Sequence, residues 1–78
     1  MAVKVLFVEG KNGDKLREFA RSFPNPYRLL YRKEQGLYVL EAWAVTPQME
    51  AAVGGLEGFR AWSFELVEEG YKTGAADA

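Results

Sequence analysis

The chain has no cysteine and no histidine. The first absence excludes disulfides and thiolate metal sites. The second removes the commonest general base and the commonest metal ligand. Isoleucine is missing too, while Ala, Gly, Leu, Val, Glu and Arg are frequent. That bias points to a GC-rich bacterial genome, of a kind found in thermophiles. No apolar run approaches the ~18 residues of a membrane span. The N-terminus, with Lys4 and Glu9 inside its apolar run, does not read as a signal peptide, so the expected location is the cytoplasm. Lys and Arg total 10 against 11 Asp and Glu, a net charge of −1 that gives no strong general attraction to nucleic acid or anionic membrane.

What is present describes a small folded domain. The 78 residues are enough for one domain and not two. Hydrophobic residues make up 49% and aromatics 14%, which places the chain among globular proteins. A core of this size supplies only roughly 3–5 kcal/mol unless disulfides, a metal or oligomerisation help. With the cysteine routes closed, oligomerisation is the help left.

The stretch Tyr27 to Ala44, YRLLYRKEQGLYVLEAWA, reads as a β-hairpin. Side chains alternate between faces along a strand, so Tyr27, Leu29 and Tyr31 oppose Arg28, Leu30 and Arg32. A four-residue loop, Lys33 to Gly36, puts glycine where a left-handed residue is wanted. Arg32 then faces Leu37, Leu30 faces Val39 and Arg28 faces Glu41. A loop one residue shorter would set Glu41 among the tyrosines, a costly burial of an unpaired carboxylate.

Ahead of the hairpin, Ala2 to Glu9 is apolar and β-branched, a central strand covered on both faces. After the loop Gly10–Gly13, with Asn12 or Asp14 as cap, Leu16, Phe19, Ala20 and Phe23 recur at helical spacing until Pro24 and Pro26 end the helix. After the hairpin, Thr46-Pro47 starts a second helix with Met49, Ala52, Val53 and Leu56 as its buried stripe, and Gly54-Gly55 closes it. Phe59 to Val67 is the last strand. The domain is expected over residues 1–69, with 70–78 as a mobile tail.

The order β-α-β-β-α-β resembles the ferredoxin-like split βαβ plan over about residues 2 to 67. The resemblance implies an α+β fold: one four-stranded antiparallel sheet ordered 4-1-3-2 with both helices on one face. Under the helices it would set the tyrosine face of the hairpin with Val3, Val5, Phe7, Trp62, Phe64 and Leu66. The open face would then carry Lys4, Leu6 and Val8, then Arg28, Leu30 and Arg32. Leu37, Val39, Glu41 and Trp43 would lie beside them, with Ala61, Ser63, Glu65 and Val67 at the margin.

A face with an apolar centre rimmed by charges is expected to be an interface. The main expectation is a homodimer stacking these faces, as in the dimeric α+β barrels that the chain resembles, with Leu6, Val8, Leu30, Val39 and Trp43 at the contact. The function that follows is a non-catalytic structural or regulatory interaction module without a cofactor or metal. The alternative is a small-molecule-binding or enzymatic dimeric barrel, whose ligand site would draw on Arg28, Arg32, Trp43 and Arg60. Guanidinium groups bind carboxylates and phosphates bidentately, although Arg28 also has Glu41 available as a plain ion-pair partner. Gly10 to Lys15 lacks the spacing and the hydroxyl of a P-loop. Leu6-Phe7-Val8 resembles the short strand-one motif of RRM domains, which stack bases on strand aromatics. The longer strand-three motif is missing from QGLYVLEA, so RNA binding ranks third.

Overall fold

The computed structural model describes residues 3–70, and the expected tail from Gly70 onward lies outside the described residues but for its first residue. The elements run β1 (Val3–Gly10), α1 (Gly13–Arg21), β2 (Tyr27–Arg32), β3 (Leu37–Ala42), α2 (Pro47–Val53) and β4 (Arg60–Leu66). All neighbours in the four-stranded sheet are antiparallel, in the order β2-β3-β1-β4. The fold is α+β: one antiparallel sheet and two helices.

Local chemistry explains the boundaries. The Asn12 side chain accepts a hydrogen bond from the Lys15 backbone N–H at 3.1 Å and caps α1. Thr46 does the same for Met49 at 3.3 Å, and Pro47 occupies the first turn of α2, where its missing N–H costs nothing. The hairpin loop closes with Gly36 N–H donating to the Arg32 carbonyl at 2.9 Å, and Gly36 sits at φ +67°, the left-handed region that favours glycine. The β2–β3 register is the expected one: Arg28 with Glu41, Leu30 with Val39, Arg32 with Leu37.

The core lies between the sheet and the helices. Leu16, Phe19 and Ala20 of α1 and Met49 of α2 bury against Leu6, Val8, Leu40 and Ala42. Phe23, Val53 and Leu56 are partly buried against this cluster, whereas Ala52, expected in the α2 stripe, is exposed. Helix α2 is only seven residues long, and Met49 is the residue it buries. A Cβ at Gly10 would collide with the Phe59 ring, so the end of β1 needs glycine to let that ring approach the backbone closely.

One expectation is overturned. Leu6 and Val8 do not face outward; they are 2% and 0% exposed beneath the helices. Leu6 pairs with Ala42 and Ser63, and Val8 with Leu40 and Ala61, so these residues share the helix side of the sheet, buried in β1 and β3 and still exposed in β4. Val3, Val5 and Phe7 therefore turn to the open face with their partners Leu66, Phe64 and Trp62. The hairpin faces are as expected, while both faces of β1 and β4 are exchanged. The physical reason is charge. Glu9 shares a side of β1 with Val5 and Phe7, and only the open face offers it a cation. Lys4, on the covered side, sits at the strand's start where its ammonium reaches Glu50 of α2.

Glu50 fastens α2 to the sheet. Its two carboxylate oxygens accept from Lys4 Nζ at 3.2 Å and from Ser63 Oγ at 3.0 Å. The Ser63 hydrogen bond first, and then the one from Lys4, holds the carboxyl below its ordinary value of 4.5. A depressed folded value means stabilisation that is present at neutral pH and lost as the pH falls below 4.5. Thermal melts between pH 6 and pH 3 should therefore show a steeper loss of midpoint for the wild type than for Glu50→Gln. Parallel curves would remove Glu50 as the titrating contact.

Candidate functional site

The face without helices is laid out by the pairing of the strands. One row across the sheet reads Arg28, Glu41, Phe7, Trp62, and the next reads Leu30, Val39, Glu9, Arg60. Val5 and Phe64 form a third row. The face divides into two regions. Toward β2 it holds paired charges; toward β4 it is aromatic.

In the charged region two carboxylates are buried although no helix covers them, Glu41 at 5% and Glu9 at 6% exposure. Glu41 accepts from Arg28 Nη2 at 2.8 Å through one oxygen and from the indole Nε1 of Trp43 at 2.7 Å through the other. Glu9 accepts from Arg32 Nη1 at 2.6 Å, the guanidinium reaching diagonally over β3. Charge-assisted hydrogen bonds of this length satisfy carboxylates that burial would otherwise penalise. No buried side-chain nitrogen or oxygen among the described residues lacks a partner.

In the aromatic region Phe7 and Phe64 meet edge to face, centroids 5.6 Å apart and planes at 82°. Arg60 lies over the Trp62 ring at 5.2 Å, a cation–π distance. Phe64 remains 55% exposed and Trp62 39%. A shallow depression of about 500 Å³ runs between Trp43 and β4, floored by Val5 and Phe7. The backbone beside it is held by Asn25, whose Nδ2 donates to the Trp43 and Ala44 carbonyls at 3.2 and 2.7 Å. Ala44 there adopts φ +55°.

The four residues considered for a ligand site are thus not brought together. Arg28 and Trp43 converge, but on Glu41. Arg32 is engaged by Glu9, and Arg60 lies at the far margin on β4. Of the expected interface residues, Leu30, Val39 and Trp43 are on the open face, and Leu6 and Val8 are in the core. Sequence reading missed that Val5, Phe7, Trp62 and Phe64 share the open side of the sheet, where Trp62 and Phe64 are exposed and Val5 is shielded to 6%. The signal was available: Glu9 alternates in step with Val5 and Phe7, and the hairpin's arginines were already on the open side.

No three acidic side chains among the described residues gather to hold a metal ion. No helix among them is long and apolar enough to cross a membrane. No protein family, curated protein or solved structure matches the chain.

Proposed function

We propose that the chain is a non-catalytic interaction module on the ferredoxin-like plan, and that two copies pair through the open sheet face. In support of the plan, the sheet read from β4 runs 4-1-3-2, with α1 between β1 and β2 and α2 between β3 and β4. The observation that carries the functional reading is the aromatic cluster of Phe7, Trp43, Trp62 and Phe64 with Val5 on a face no helix covers. A sheet face meant for water alternates polar residues outward. Contiguous apolar surface of this kind is used for association.

The charges on the face favour a copy of the same chain over a charged partner. Arg28 and Arg32 are neutralised where they stand by Glu41 and Glu9, so little field remains to draw an acidic ligand. One observation favours a second reading. Phe7, from the RRM-like Leu6-Phe7-Val8, stands on the open face beside Trp62, as a base-stacking residue would. Against it stands the commitment of two of the three open-face arginines to glutamates.

The test is mass by light scattering of the full chain at 10 to 100 µM, wild type beside Leu30→Lys/Val39→Lys. Leu30 and Val39 are directly opposite neighbours on this face. The double variant should show half the wild-type mass while still melting cooperatively, at a midpoint lowered by the lost association. An unchanged mass, or an 8.8 kDa wild-type monomer at the highest concentration, overturns the face pairing. Quenching of tryptophan by a short polyuridine at low salt would replace it with the RNA reading.

A further inference from the structure

We propose that β4 is a pairing edge, joined antiparallel by the β4 of a second copy with Phe64 opposite the partner's Phe64. This surface is distinct from the open face, and the proposal does not rest on face pairing. Strand β4 lies at the margin of the sheet, and among the described residues it pairs with β1 alone. Every residue from Arg60 to Glu65 is exposed, on the helix side as well as the open side, because α2 is too short to cover it. Val67, just past the strand, is 94% exposed. Edges of this kind template further strands unless they are blocked. The opposite edge is defended: Pro24 and Pro26 precede β2, and Arg28 and Arg32 fold inward to glutamates. Strand β4 has no proline, and its ladder with β1 runs unbroken from Glu9–Arg60 to Val3–Leu66.

The partner is argued from self-complementarity. A strand pairing with its own copy about a two-fold axis keeps the helices of both copies on one side only when a residue, not a peptide bond, marks the axis. Each choice of that residue gives one register. With Trp62 on the axis, Arg60 lies opposite the partner's Phe64. With Ser63 there, Arg60 meets the partner's Leu66 and Glu65 meets the partner's Ala61, so no charge is answered. With Glu65 there, two carboxylates oppose each other. With Phe64 there, every pair is complementary. Arg60 faces the partner's Glu68, Trp62 the partner's Leu66, and the phenylalanines each other. On the helix side Ala61 faces the partner's Val67 and Ser63 the partner's Glu65. Opposite charges close both ends of an apolar centre, and cross-strand pairs of these types favour association. The result is one continuous sheet of twice the width, its two aromatic clusters merged into a single surface.

The chain's lack of cysteine makes the register directly readable. Trp62→Cys, Ser63→Cys and Phe64→Cys are made in the Leu30→Lys/Val39→Lys background, which disables the open face, and are oxidised mildly at micromolar concentration. Directly opposite strand residues lie within disulfide reach. Phe64→Cys should give disulfide dimer in high yield and the other two little. Linking that prefers position 62 or 63, or that is equally weak at all three, overturns the proposal. Charge reversal gives a second readout that needs no cysteine. Glu68→Arg should weaken association at least about tenfold by setting like charges opposite. Arg60→Glu/Glu68→Arg should restore it, and failure of either result overturns the register. If the edge holds and the face does not, Glu68→Arg lowers the mass while Leu30→Lys/Val39→Lys leaves it unchanged; the converse pattern retains the face and removes the edge.

Discussion

Met49→Ala should leave most of the protein unfolded near 37 °C. Met49 is completely buried in the core cluster with Leu6, Val8, Leu16 and Leu40, and it is the one fully buried residue of α2, Val53 being only partly covered. Truncating a buried methionine costs about 2–5 kcal/mol, partly lost transfer energy and partly the cavity left behind. A domain of this size holds only about 3–5 kcal/mol in total. At roughly 4–8 °C per kcal/mol, the melting midpoint should drop by at least about 10 °C. Met49→Leu, which conserves volume, should cost under about 1.5 kcal/mol. Circular dichroism melts of both variants are the measurement. A drop of only a few degrees for Met49→Ala would mean that the ties from Glu50 to Lys4 and Ser63, not Met49, hold α2 in place.

The second large effect is asymmetric. Arg32→Met should destabilise by about 1–3 kcal/mol, whereas Glu9→Gln should cost less than about 1 kcal/mol. Removing the arginine strands a carboxylate whose side chain is 7% exposed, and the hydrogen bond from Arg32 is the one it accepts among the described residues. Removing the carboxylate merely returns a guanidinium, already half in water at 50% exposure, to solvent. That exposure is also why the cost sits below the about 3–5 kcal/mol of a fully buried pair. Arg32→Met/Glu9→Gln should then be close to Glu9→Gln alone. Arg28→Met should be milder than Arg32→Met, because Glu41 keeps the Trp43 indole as a donor. Urea denaturation midpoints decide the matter. Equal costs for Arg32→Met and Glu9→Gln would show that the stranded carboxylate is not the source of the effect.

The elements that sequence reading placed correctly are those whose signal is local. The hairpin register follows from one glycine at φ +67° and one pair of opposite charges, Arg28 with Glu41. Both helix starts follow from a capping side chain within four residues of the first turn. The misplaced faces belong to β1 and β4, where alternation carries little information. In β1 both sides are apolar, so parity alone could not decide which is covered. In β4 the bulky set, Trp62, Phe64 and Leu66, looks like a core set, yet the side under α2 is Ala61, Ser63 and Glu65. Size misled there, because a seven-residue helix cannot shelter three bulky side chains. The expected convergence of arginines failed for a different reason. Their destinations depend on reach across neighbouring strands, as with Arg32 passing over β3 to Glu9, and such distances appear only once the sheet is assembled.

A strand greasy on both sides is nearly indifferent to being turned over. For β1, sliding by a single residue would trade one set of aliphatic contacts for another. What makes the wrong setting intolerable is ionic: a slip would drive Glu9 beneath the helices and pull Lys4 away from Glu50. These two side chains act as the notches of a key, contributing little attraction in the correct setting and a prohibitive penalty in any other. Neutralising both should leave a chain that still collapses but no longer keeps a single alignment of its central strand.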